Sequence, residues 1–151
     1  MGLNKCVEFS TAKLLKEKGF DELCSHAYKE VESPILYLHQ DKKYNNSFKK
    51  EWQNTVRKNS NMDNATINRY SAPTIAEVVM WLYDNHKIYI HISPHGEEED
   101  LLEDCKWWFS VYKNKLYNLV GGSKVTKDIE DFDSLTEAYE AAIEYALNNL
   151  I

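Results

Sequence analysis

Arginine is scarce in this chain: Arg57 and Arg69 are the only two among 151 residues. Sheets that read RNA interleave arginine with stacking aromatics, so the composition argues against nucleic-acid recognition. The net charge of −6 points the same way, because an acidic chain is repelled by phosphate backbones. The charge is uneven. Residues 1–70 hold 12 Lys and Arg against 9 Asp and Glu, net +3, while residues 71–151 hold 6 against 15, net −9. A local basic patch in the first half is compatible with these counts.

Cysteine is sparse too. Cys6, Cys24 and Cys105 are odd in number and form no CxxC pair, so free, partly buried thiols are expected rather than a disulfide framework. No apolar run approaches the roughly 20 residues that span a bilayer, and no basic-then-apolar N-terminus announces a secretory signal. Met1-Gly2 opens like a myristoylation site, but Cys6 stands where that pattern needs Ser or Thr. The expected compartment is the cytoplasm, with no membrane partner.

Catalytic signatures are missing. There is no GxSxG, and the cysteines have no histidine at a recognisable family spacing. Gly121-Gly122-Ser123-Lys124 lacks the GxxxxGK[ST] pattern and precedes no helix, so it reads as a loop. Asp128, Glu130, Asp131 and Asp133 lack the central glycine and terminal glutamate of a calcium loop. They lie before a helix start, where acid is favourable. His91 and His95, followed by Glu97 to Asp100, are the best metal candidates. The HxxxH spacing is diagnostic on a helix, however, and here His91 falls on an expected strand with Pro94 intervening. No cofactor is expected, and no internal repeat is present.

What the chain does contain is ten Tyr, four Trp and one well-punctuated stretch, Ala72 to Ile92. Pro73 fits just ahead of a first turn. Thr74 and Glu77 form a capping box, and Ile75, Val78, Val79 and Leu82 fall on one helical face. Asp84 to Lys87 is the stop, with Asn85 able to turn left-handed. Ile88, Ile90 and Ile92 then alternate with Tyr89 and His91, the period of a strand.

The flanking segments are read the same way. Phe9 to Phe20 predicts a helix capped by Ser10 and stopped by Gly19, with Leu14 and Leu15 inward and Lys13, Lys16 and Lys18 in water. Ser25–Val31 and Ile35–His39 suggest a strand pair across Pro34. Residues 41–70, rich in Lys, Asn and Ser, predict a polar insert, either a mobile lid or a poorly ordered segment. Cys105, Trp107, Phe109 and Val111 alternate with Lys106, Trp108, Ser110 and Tyr112, and Leu116–Val120 returns after an Asn-containing turn, a hairpin. Ser134 and Glu137 cap a last helix over Asp133–Leu150, whose alanines suggest close packing.

If the isoleucines and Trp107, Phe109 and Val111 face the helices, then Tyr89, His91, Trp108 and Tyr112 share the opposite sheet face. Clustered exposed aromatics mark contact surfaces. The competing reading is that another segment, such as 41–70, covers them.

At Ser10 to Phe20, at Ala72-Pro73-Thr74 with Trp81-Leu82 and His86, and at Glu137 to Glu144, the sequence resembles small uncharacterised proteins common in Bacteroides-type bacteria and their phages or integrated elements. The resemblance covers both ends and the middle of the chain, with 41–70 and 93–130 as the variable parts. It implies a bacterial, cytoplasmic, mobile-element setting and transfers no site.

The expected fold is a single α+β domain over 1–151, with an antiparallel sheet of three to five strands and helices mainly on one face. The leading functional expectation is a non-enzymatic module that binds a protein, with homo-oligomerisation left open. The alternatives are an acidic mimic of nucleic acid, a small metal-dependent enzyme using His91 and His95, and a single-strand binder on the aromatic face.

Overall fold

The computed structural model describes residues 2–38, 68–95, 105–113, 119–120 and 132–151. The polypeptide divides into two compact units, Cys6–Pro73 and Met1–Lys5 with Thr74–Ile151. The α+β class expected from the sequence holds. Among the described residues the strands, however, form two antiparallel sheets of three strands each instead of one sheet.

In the unit Cys6–Pro73, helix α1 spans Phe9–Glu17. Its N-cap is Glu8, which makes no side-chain capping bond, so the cap expected at Ser10 is displaced by two residues and Ser10 lies inside the first turn. The stop is as expected. Gly19 takes φ 82°, where a side chain would be strained, and the chain turns so that the Phe20 N–H reaches the Leu15 carbonyl at 2.9 Å. Phe20 and Leu15 are both buried, whereas Leu14 is half-exposed. Strands β1 (His26–Lys29), β2 (Ile35–Leu38) and β3 (Arg69–Ser71) pair antiparallel in the order β2-β1-β3. The expected pair is therefore present, with Tyr28 opposite Leu36. The third strand enters from the end of the segment read as an insert: Arg69 and Tyr70 open β3, while 41–67 lie outside the described residues. Tyr28 and Tyr70 face each other across β1 and β3, and Phe9 of α1 sets its edge against both rings at 5.4 and 5.5 Å.

In the second unit, helix α2 spans Ile75–His86 and is entered through the complete capping box of Thr74 and Glu77. The left-handed residue at its end is Lys87, φ 55°, and not Asn85. Asn85 stays helical and its side-chain amide donates to the Trp81 carbonyl at 3.2 Å, so the turn is made two residues later. Strands β4 (Ile88–His95), β5 (Lys106–Lys113) and β6 (Leu119–Val120) run antiparallel in that order. The hairpin from β5 to β6 is thus present, and its turn lies outside the described residues. Helix α3 spans Leu135–Asn149, with Ser134 Oγ accepting the Glu137 N–H at 3.2 Å. Ala138, Ala142, Ile143, Ala146 and Leu147 are fully buried along it. Three alanines among these five let the helix axis approach the sheet closely, and the rings of Phe109 and Tyr145 meet at 6.3 Å on that side. Ile88, Ile90, Phe109 and Val111 form the covered sheet face. The 3₁₀ turn Gly2–Asn4 also packs on α3: a Cβ on Gly2 would lie 2.5 Å from Thr136 Oγ1.

Candidate aromatic binding face

The other face of the β4–β5 ladder, opposite Ile88, Ile90, Phe109 and Val111, is built by register. Tyr89 stands opposite Tyr112, His91 opposite Ser110, and Ser93 opposite Trp108. Because side chains alternate along a strand, all six point to the side away from Ile88, Ile90, Phe109 and Val111. The tyrosine rings sit 6.1 Å apart, tilted by 46°. The Ser93 hydroxyl and His91 Nε2 share a hydrogen bond of 2.6 Å along β4, which orients the imidazole. Tyr89 is 44% exposed and His91 is exposed, while Trp108 and Tyr112 are half-buried. Ser110, the small residue between Trp108 and Tyr112, is buried. Tyr139 of α3 reaches the rim of this face: burial first, and then the Tyr89 hydroxyl, push its own hydroxyl above the usual tyrosine range.

The four residues singled out from the sequence are therefore neighbours on one surface. Its chemistry is aromatic and hydrogen-bonding rather than ionic. Among the described residues of β4 and β5, Lys106 is the cation on this side, and it is paired with Asp133. The surface offers flat apolar area with polar edges, the composition of a recognition patch.

The histidine pair is placed less favourably. His91 and His95 belong to one regular strand, so their Cα atoms are separated by roughly 13 Å at the strand rise of about 3.3 Å per residue. Ligation of one ion needs imidazole nitrogens about 4 Å apart, each about 2 Å from the metal. Among the described residues no group of three His, Cys, Asp or Glu is placed to hold a metal. Glu97 to Asp100, the expected carboxylate partners, lie outside the described residues, as does the Gly121-Gly122 loop.

One cluster was not anticipated. The Glu30 carboxylate accepts from Lys13 Nζ at 2.8 Å, Asn68 Nδ2 at 3.0 Å and the Tyr70 hydroxyl at 2.9 Å. These bonds, the Lys13 one foremost, hold the Glu30 carboxyl down to about 2. Burial and the Glu30 bond push the Tyr70 hydroxyl up to about 12. Lys16 donates to the Arg69 carbonyl at 3.1 Å, lies 4.7 Å over the Tyr70 ring, and has its ammonium pKa lowered, chiefly by burial. Lys13 thus ties α1 to Glu30 at the end of β1, and Lys16 ties it to β3, while the Lys13 side chain stays partly in water. General acid–base catalysis wants groups that titrate near the working pH. Glu30 and Tyr70 are driven away from it in opposite directions, so the cluster is a fastening. The helical spacing of Lys13 and Lys16 was visible in the sequence. Their partner strand was not, because Arg69-Tyr70-Ser71 carries too short a pattern to separate from the polar segment before it.

The described helices include none long and apolar enough to cross a membrane. No family model, curated protein or solved structure matches the chain.

Proposed function

We propose that the protein is a non-enzymatic interaction module that docks a protein partner on the aromatic face of β4 and β5. The observation that carries this reading is the convergence of Tyr89, His91, Trp108 and Tyr112 on one surface, with Tyr89 and His91 exposed. Tyr and Trp contribute large contact area at small entropic cost, and they are enriched at interface hot spots. Lys106, the cation that the described residues of β4 and β5 place on this face, is paired with Asp133, which weighs against the single-strand reading. The strand separation of His91 and His95 weighs against the metal-enzyme reading. The nucleic-acid mimic rests on the acidic second half, yet nine of its fifteen carboxylates lie outside the described residues. The mobile-element setting and bacterial cytoplasm implied by the resemblance belong to this proposal as its context.

The test is capture of partners from the native host by the wild-type chain and by a Tyr89→Ala/Trp108→Ala variant. Loss of a specific partner from the variant, with its circular dichroism unchanged, is the expected result. A partner retained in full by the variant would move the interface elsewhere.

A further inference from the structure

A second surface, independent of the aromatic face, lies at the edge of the other sheet. In the order β2-β1-β3, strand β2 is terminal, and among the described residues β1 is its only ladder partner. Its four residues, Ile35-Leu36-Tyr37-Leu38, carry no charge. Ile35 is 53% exposed, Leu36 42% and Leu38 60%, so apolar side chains are open on both faces of the strand. Soluble proteins guard such edges with charged side chains, bulges or proline. Here Pro34 guards only the approach to the strand, because it precedes the first paired residue.

We infer that β2 is a self-association edge, which pairs antiparallel with β2 of a second copy and joins the two sheets into one of six strands. The occupant follows from symmetry and charge. A two-fold axis perpendicular to a sheet reverses strand direction and keeps each face on its own side. In the register centred on Leu36, that residue opposes Leu36 of the second copy, and Ile35 opposes Tyr37 of the second copy. Any charge near the axis would meet its own like, a destabilising pair; this strand has none. The wider field agrees. Residues 6–73 hold 11 Lys and Arg against 9 Asp and Glu, net +2, whereas the rest of the chain holds 7 against 15, net −8. Two copies meet through their near-neutral unit with far less repulsion than through the acidic one.

Sedimentation velocity on the full chain, from low micromolar to near-millimolar concentration, is expected to show a monomer–dimer equilibrium. Leu36→Glu and Leu36→Lys, each alone, set like charges across the axis and are expected to weaken the dimer by about tenfold or more. Mixed together, the two are expected to recover it as a heterodimer. Leu36 is already partly exposed, and Ile35→Lys, at a more exposed position, provides a second variant should either fold poorly. Tyr89→Ala is expected to leave the dimer unchanged. A wild-type chain that stays monomeric throughout, a mixture that fails to associate, or a dimer abolished by Tyr89→Ala overturns the inference.

Discussion

Replacing Glu30 by Gln keeps the shape of the side chain and removes its charge. In the wild-type chain one carboxylate oxygen faces the Lys13 ammonium and the other faces two donors, Asn68 Nδ2 and the Tyr70 hydroxyl. A glutamine amide must turn its NH₂ toward one of these sets, so donor meets donor whichever way it points. Hydrogen bonds to a charged group contribute about 1.5–3 kcal/mol each when sheltered. The Lys13 and Glu30 side chains are 40% and 31% exposed, and solvent screening reduces an exposed ion pair to about 1 kcal/mol or less. The expected net cost of Glu30→Gln is therefore about 1–2 kcal/mol at neutral pH. For a chain of this length that lowers the melting temperature by about 3–6 °C. The sign with pH follows from linkage. The folded-state pKa, about 2, lies below the ordinary 4.5, so the carboxylate's contribution is full above 4.5 and disappears as pH falls toward 2. Melting curves of both proteins across that range are expected to converge as the medium is acidified. Tyr70 offers a second readout. Burial is the larger cause of its high pKa and the Glu30 bond the next, so the variant is expected to lower its alkaline titration part of the way from about 12 toward the ordinary value. A stability deficit that is the same at every pH, or absent at neutrality, would refute the assignment of Glu30 as the fastening of α1 to the sheet.

Four further outcomes are expected. Thr74→Ala removes the half of the capping box in which Thr74 Oγ1 accepts the Glu77 N–H, while the backbone N–H of residue 74 can still donate to Glu77 Oε2; the expected cost is about 1 kcal/mol, measured by urea denaturation. Lys87→Gly relieves the left-handed backbone at the end of α2 but loses the bond from Lys87 Nζ to the Asp84 carbonyl; a net gain of about 0.5 kcal/mol is expected, and a loss would show the side-chain bond to be the stronger term. Leu147→Ala opens a cavity in the fully buried face of α3 and should cost about 2–5 kcal/mol, readable as a large drop in denaturation midpoint. His86 is held below its ordinary 6.5 by burial and then by Lys113, so folding disfavours its protonation; stability should fall as pH drops below 6.5, and less steeply in His86→Phe, which keeps a ring against Trp81.

Local chemistry was legible wherever neighbours in sequence are also partners in space. The capping box of Thr74 and Glu77, the glycine stop at Gly19, and the alternation of Ile88 through Ile92 need only a few consecutive residues to be satisfied. Ser10 and Asn85 show the limit of this reading: each is a good capping residue, but the helix boundary shifted by two positions and the cap went to Glu8 and Lys87. Leu14 differs for a related reason. A helix of nine residues buries one narrow stripe, here Thr11, Ala12 and Leu15, and its adjacent leucine is left on the rim.

Short-range patterning encodes the α+β class, the helix caps at Thr74 and Ser134, the alternating strands and which four residues share the aromatic face. Tertiary structure alone decided that the strands divide into two sheets, that Arg69–Ser71 joins β1, and that Lys13, Glu30, Asn68 and Tyr70 converge. The reason is range. Periodicity and capping are set within one or two turns of chain. Strand order, the register that puts Tyr89 beside Tyr112, and a carboxylate fastened by residues 17 to 40 positions away are chosen by the packing of segments that carry no local mark of one another.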